Sequence, residues 1–283
     1  VFRYDIFQFY FNGGLLQHTL ANHLELPLLK LMGKKIIVSA YGSDVRSERI
    51  TRSLGKYNAC IHCTRRLTAC VCDDERRVRR VKHVRRYADV MLSMGDMIEY
   101  TPGSINDMFY WAIDLERWPY VGVVDHEGPI RIVHAPNHPE LKGTQFLENT
   151  VRQLRRDGCE IELDIIRGVD NDTARERYKK ADIVVDQLII GWHGNFAVEA
   201  MALGKPVLCY IRKPLKYLPR GVECPIVNVN PDNLKDTICR LARDFALRQE
   251  LGIKGRRYVE EIFSLRKVGE RMDRLYKNLW GHF

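Results

Sequence analysis

Between residues 130 and 230 short apolar runs alternate with helix-patterned stretches, and this rhythm constrains the fold more than any other feature. The apolar runs are IRIVHAP (130–136), CEIELDIIRG (159–168), ADIVVDQLII (181–190), KPVLCYIR (205–212) and PIVNVN (225–230). Between them lie GTQFLENTVRQLRRDG (143–158), NDTARERYKKA (171–181) and GNFAVEAMALG (194–204), with DNLKDTICRLARDFALRQELG (232–252) after the last. Strands this apolar, separated by helices, belong in a parallel sheet covered on both faces. The pattern predicts one complete Rossmann-like unit, and the same alternation occurs once before it.

In the N-terminal half YDIFQFYF (4–11), KKIIVSAYG (34–42) and YADVMLSM (87–94) read as strands, and 15–33 as helical material broken near Pro27. Residues 102–129, rich in Pro and Gly, read as an irregular connection. Expected boundaries are a partial N-terminal Rossmann-like domain over 1–125 with an insertion at about 55–86, and a C-terminal one over 126–264. A last helix, 265–283, carries Leu265, Val268, Met272, Leu275 and Leu279 on one side and is expected to pack back toward the N-terminal domain.

The insertion holds two unusual stretches. DERRVRRVKHVRR (74–86) places Val78, Val81 and Val84 at helical spacing on a basic surface, and contributes to a net charge of +9. A solvated face and a contact with an anionic membrane or lipid phosphate both account for it. Nucleic acid comes last among the partners, because no aromatic residues interleave and no reading module is recognisable. CIHCTRRLTACVC (60–72) clusters Cys60, Cys63, Cys70 and Cys72 around His62. Structural zinc, free thiols and disulfides stay open, since the second pair lacks a standard zinc-knuckle spacing. Cys159, Cys209, Cys224 and Cys239 are scattered and read as small buried hydrophobes.

Residues 189–208, IIGWHGNFAVEAMALGKPVL, follow an apolar strand with a glycine-rich loop and a small-residue helix. Gly191 and Gly194 admit a close ligand, and the amides of Asn195 to Val198 suit a phosphate at the helix start. Glu199 reads as a first-turn carboxylate favoured by the helix dipole. That does not account for the glycines or for Trp192.

Four stretches together resemble the group 1 glycosyltransferases, retaining enzymes of two-Rossmann GT-B architecture. They are DIFQFYF followed by a helix, SAYGSDVR (39–46), APNHPELKGTQFL (135–147) and, above all, ADIVVDQLIIGWHGNFAVEAMALGKPVL (181–208). The resemblance implies an enzyme moving a hexose or related sugar from a nucleoside diphosphate to a glycan or lipid-linked acceptor. By motif, Glu199 would hold the donor ribose, and Lys142, with Gly143 after it, would grip the diphosphate. The loop Gly191, Trp192, His193, Gly194, Asn195, Phe196 and Ala197 would hold the donor through backbone amides. No catalytic metal is implied, because a lysine and a helix N-terminus can stabilise the departing diphosphate.

The chain departs from the family pattern at several positions. The first carboxylate of the Glu-x7-Glu motif is replaced by Gly191, and the usual arginine before the lysine by Asn137 and then His138. The His-x-His strand end becomes Gln8 and Tyr10. On the acceptor side the resemblance points to Tyr10, Gly42 and Asp44. The first strands of the family precede Val1, so the N-terminal domain reads as incomplete: a fragment, a reduced half, or one completed by a second chain. These departures also fit a catalytically reduced binding or scaffold subunit. With no membrane span or signal peptide evident, the expected location is the cytoplasm or the cytoplasmic face of a membrane.

Overall fold

The computed structural model describes residues 3–17, 19, 21, 24–61, 63, 74–107, 111–218 and 223–281. The chain divides into two units, the first Val1–Gly55, Arg65–Met108 and Glu270–Phe283, the second Lys56–Thr64 and Phe109–Gly269. Both are built on parallel sheets. Among the described residues no helix is long and apolar enough to cross a membrane.

In the first unit β1 (Ile6–Tyr10), β2 (Lys35–Ser39), β3 (Val90–Ser93) and β4 (Ile105–Asn106) pair in parallel in that order. β2 supplies Ile36, Ile37 and Val38 to the core, where Leu26 and Leu29 of α1 (Glu25–Leu31) are buried too. α1 starts later than the sequence pattern suggests and runs through Pro27. A proline in the first turn removes only an amide that has no helical partner. α2 (Glu48–Ser53) is capped by the Ser47 hydroxyl, which accepts from the Ile50 amide. α3 (Asp74–Tyr87) buries Val81 and Val84 but leaves Val78 44% exposed, so the apolar stripe covers only its second half. β4 lies in the stretch expected to be irregular.

The second unit has β5 (Ile130–His134), β6 (Ile161–Ile165), β7 (Ile183–Val185), β8 (Val207–Cys209) and β9 (Val227–Asn228). They pair in parallel in the order β6–β5–β7–β8–β9. The chain begins at β5, steps outward to β6, then returns past β5 to β7. The strand order therefore reverses between β5 and β7, and in open α/β sheets such a switch point is where ligands bind, beyond the carboxyl ends.

Helices α4 (Pro139–Lys142), α5 (Thr144–Arg156), α6 (Asn171–Lys179), α7 (Asn195–Ala202) and α8 (Pro214–Tyr217) connect these strands. Leu147, Val151 and Leu154 of α5 pack on Ile132, Ile161 and Ile183 of the sheet.

The stretch 232–252, read as one helix, forms two: α9 (Leu234–Arg243) and α10 (Phe245–Ile262). Asp244 between them is extended and caps α10, its carboxylate accepting from the Leu247 amide at 2.8 Å. α10 then continues through Gly252, where the sequence suggests an end. The glycine is there for contact: a Cβ at 252 would overlap the Gly204 carbonyl oxygen. α11 (Leu265–Trp280) buries Val268, whereas Leu265, expected on the same apolar side, is exposed. In the first unit Arg271 of α11 donates to Asp107 at 3.1 Å and the Tyr276 hydroxyl to Gln8 at 2.9 Å.

Of the scattered cysteines only Cys209 is fully buried; Cys159, Cys224 and Cys239 are partly exposed, contrary to the expectation for all four. Cys60 and Cys63 carry free thiols, while Cys70, Cys72 and His62 lie outside the described residues. Among the described residues no three metal-ligating side chains are placed to hold an ion.

Candidate functional site

The switch point between β5 and β7 gathers most of the polar groups singled out in the sequence of the second unit. After β5 the chain passes Asn137, which is exposed, and His138, which is half-buried at the start of α4. α4 ends at Lys142 and is closed by Gly143, whose left-handed conformation (φ 81°) lets α5 begin at the next residue. Leu188, beyond β7, donates its amide to the Lys142 carbonyl at 2.9 Å, so the segment after β7 is tied to the end of α4. A Cβ at Gly143 would sit 3.1 Å from that of Leu188. Glycine thus serves two needs at this position.

Lys142 is neither solvated nor at the opening of a helix. Its ammonium lies 3.3 Å from Oδ1 of Asp186, and its side chain is 13% exposed against 0% for the aspartate. The other oxygen of Asp186 accepts the Gly194 amide at 2.5 Å. One buried carboxylate, three residues beyond the start of β7, therefore anchors both the lysine and the N-terminus of α7. Sequence reading missed Asp186. The available signal was a lone acid inside ADIVVDQLII, where an apolar strand offers it no partner of its own.

α7 has no side-chain cap at its N-terminus, and an exposed Asn195 occupies the first helical position. Glu199 is the fifth residue of α7, one turn further in than expected, so the dipole argument for its placement fails. It instead faces Asn195 across one turn and accepts from the side-chain amide at 2.8 Å. Burial, together with the Asp186 charge, pushes the Glu199 carboxyl up to about 7, against the opposing pull of Lys142 and Arg175. Phe196 and Ala197 are buried, leaving only their backbone for any ligand.

Beneath these groups lies His134, the last residue of β5. It is fully buried, with Nδ1 2.7 Å from the Val185 carbonyl and Nε2 2.9 Å from the Thr144 hydroxyl. A carbonyl can only accept, so Nδ1 carries the proton and Nε2 accepts from Thr144. Burial holds this imidazole down at about 4, neutral near pH 7. It ties the ends of β5 and β7 to the first turn of α5.

Trp192 and His193, expected along the donor loop, are buried side chains whose rings lie 4.4 Å apart. Tyr217 and Phe263 pack around them. Their contribution to the loop is to pin it. Gly191 has φ 98°, and the space its side chain would fill is taken by the guanidinium of Arg212. That guanidinium donates to the Ile190 carbonyl at 2.6 Å and the Tyr57 carbonyl at 3.3 Å. Where the motif has an acid, this chain presents a cation. Lys205, of the Gly-Lys-Pro after α7, is buried and donates to the Gly122 carbonyl; burial lowers its amine to about 8.

In the first unit Tyr10 ends β1 and Tyr41 lies two residues past β2, their exposed rings edge to face at 5.3 Å. Asp44 is buried, its carboxylate accepting the amides of Tyr41 at 3.2 Å and Gly42 at 2.8 Å. Its side chain is thus spent on shaping the loop.

No family model matches the chain. A relative named as an uncharacterized glycosyltransferase, from Methanocaldococcus jannaschii, is 26% identical over 136 residues, 47% of this chain and 34% of the relative. The match therefore spans about a third of that relative's length. Among solved structures, the sucrose-phosphate synthase of Thermosynechococcus elongatus aligns with a TM-score of 0.61 at 14% identity, covering 99% of this chain and 75% of that one. HepE of Anabaena, determined in complex with UDP, aligns at 0.59 and 11% identity, covering 89% and 74%. The fold is thus the α/β fold, with parallel sheets, of GT-B glycosyltransferase structures.

Proposed function

We propose that the chain is a glycosyltransferase taking a nucleoside-diphosphate sugar, with UDP as the nucleotide, and passing the sugar with retention to a glycan or lipid-linked acceptor. The observation that carries this reading is the meeting of Lys142, the Gly194 amide and the N-terminus of α7 on Asp186, at the switch point of the sheet. A diphosphate is the ligand whose chemistry suits that group. Its charge is met by the ammonium and by helix amides that have no side-chain cap. As the glycosidic oxygen of the donor departs, negative charge grows on the diphosphate, and Lys142 together with the α7 dipole stabilises it without a metal. Glu199, one turn into α7, is placed to accept from ribose hydroxyls in exchange for Asn195. The UDP-bound HepE and the glycosyltransferase relative support the nucleotide and the reaction class.

The test is titration of UDP into wild type and two variants. Glu199→Ala is expected to weaken UDP binding by about tenfold or more, the scale of a lost charge-assisted hydrogen bond. Lys142→Ala is expected to slow transfer more than it weakens binding. Unchanged UDP affinity in the Glu199 variant would overturn the assignment. The Arg212 guanidinium beside Gly191 favours a second reading, a reduced subunit that binds the nucleotide without transferring sugar. Donor hydrolysis or transfer by the purified chain would eliminate it.

A further inference from the structure

The amino ends of β5 and β6, at the end of the sheet opposite the switch point, border a cavity of about 380 Å³ within the second unit. Its walls come from the segments that lead into these two strands, from the last turns of α9 and from the start of α10. Ile130, Ile161 and Phe245 give it an apolar side. A cavity of this size suits a small molecule.

Arg248 lines the cavity and is only 4% exposed. Its side-chain hydrogen bonds leave from Nη1, to the carbonyls of Leu241 at 2.7 Å and Ala242 at 2.9 Å. Nε is buried without a partner, and among the described residues no carboxylate pairs with this guanidinium. Buried arginines are ordinarily paired, because a charge taken out of water needs an opposite one to offset its desolvation. Nε and Nη2 form the planar edge that matches the two oxygens of a carboxylate, and here that edge is uncommitted. Arg243, exposed at the rim, adds a second cation without an acidic partner among the described residues.

The cavity also presents the opposite charge. Asp157 is neutralised by Lys235 at 2.7 Å, whereas Asp125 and Glu160 stand exposed at the rim with no ion pair among the described residues. A plain anion would meet these acids, and a plain cation would meet the arginines. A molecule that carries both charges close together on an apolar body satisfies both.

We infer that this cavity binds a free amino acid with an apolar side chain. Its carboxylate lies on the Nε–Nη2 edge of Arg248, its ammonium on the rim acids Asp125 and Glu160, and its side chain against Phe245. Lys142 and Glu199 belong to the opposite end of the sheet, so such a ligand is an effector and its binding does not rest on the proposed sugar transfer.

The experiment titrates L-phenylalanine and L-leucine into the full chain by calorimetry. Two analogues of phenylalanine, phenethylamine and 3-phenylpropionate, each lack one of the charges. Both amino acids should bind, and each analogue should bind about tenfold more weakly than phenylalanine. Arg248→Lys keeps a donor for the α9 carbonyls but loses the planar edge, and should weaken phenylalanine binding about tenfold. Asp125→Asn combined with Glu160→Gln should do the same. Arg240→Gln, exposed on α9 and outside the cavity, should change it less than twofold. Cys159 and Cys239 line the cavity as partly exposed thiols. Bound phenylalanine should therefore slow their alkylation by iodoacetamide and leave that of Cys63 unchanged. No binding of either amino acid, equal losses in the Arg248 and Arg240 variants, or unprotected cavity thiols would overturn the inference. So would 3-phenylpropionate or phenethylamine binding as tightly as phenylalanine, since the second charge would then play no part. Should Arg248→Lys fail to fold, the analogue series and thiol protection in wild type still decide. UDP is titrated in the same samples, and a variant that loses phenylalanine but keeps UDP separates this site from the nucleotide assignment.

Discussion

Gly191 and Arg212 exclude one another: a Cβ built on the glycine would overlap the guanidinium of the arginine. The glycine is also left-handed, at φ 98°, so a side chain there meets both a steric and a conformational penalty. Gly191→Ala should lower stability by about 1–3 kcal/mol. The steric share should disappear when the arginine is shortened. Urea melts of Gly191→Ala, Arg212→Ala and the double variant should therefore be non-additive by more than about 0.5 kcal/mol, the double variant being more stable than the sum implies. Strict additivity would show that the two side chains do not compete for one space.

The pH dependence of stability reports on Glu199. Its carboxyl takes a proton near pH 7 in the fold and near 4.5 in the open chain. Between these values the native state holds more protons than the unfolded one, so stability falls as the pH rises through the window. Glu199→Gln has no such titration. Its melting temperature should gain on wild type between pH 5 and pH 8; a constant difference would place the carboxyl at its ordinary value. His134, held down at about 4, acts in the opposite sense, with stability lost as the pH falls from about 6.5 toward 4. Both variants retain that contribution, which cancels in the comparison.

Asp186→Asn tests whether this carboxylate links the parts of the site. It removes one partner of a mostly buried ion pair and is expected to cost on the order of 3 kcal/mol. The Asp186 charge is one of the forces raising Glu199, so the Glu199 titration should move downward in this variant. Carboxyl resonances followed by NMR against pH would show it. An unmoved Glu199 titration would mean that burial alone sets its value.

Two helical glycines should respond in opposite ways. Gly252→Ala drives a methyl into the Gly204 carbonyl and should cost about 1–3 kcal/mol. Gly269, in α11, has nothing within 4 Å of the same position, and Gly269→Ala should raise stability by about 0.5–1 kcal/mol through helix propensity. Thermal melts of both variants check this. Equal effects would show that Gly252 is not a packing glycine.

The alternation of apolar and helical segments was sufficient to read both parallel sheets and the place of the glycine-rich loop. Local errors trace to local causes. Pro27 was taken as a break because its tolerance in a first turn depends on where the helix starts. The stretch 232–252 was read as one helix because periodicity does not register a single extended residue such as Asp244. The close approach that Gly252 allows to Gly204 has no signature in the local pattern. At the site, Lys142, Gly143, Gly194 and Glu199 stood out by motif, whereas Asp186, Thr144 and Arg212 did not.

Those three residues mark the limit of what sequence alone determines. Apolar period, glycine placement and helix length are local properties, and they specified the class of fold and the strand ends that carry polar groups. Which acid holds Lys142, and which side chain fills the space at Gly191, depend on contacts between residues distant along the chain. Only the strand order β6–β5–β7–β8–β9 brings the end of β5 beside Asp186 and the end of β8 beside Gly191. Burial then turns this proximity into electrostatics, raising Glu199 and keeping His134 neutral. Desolvation and charge proximity exist only once the sheet has formed, which is why the tertiary structure decided the electrostatic character of residues that the sequence had singled out only as candidates.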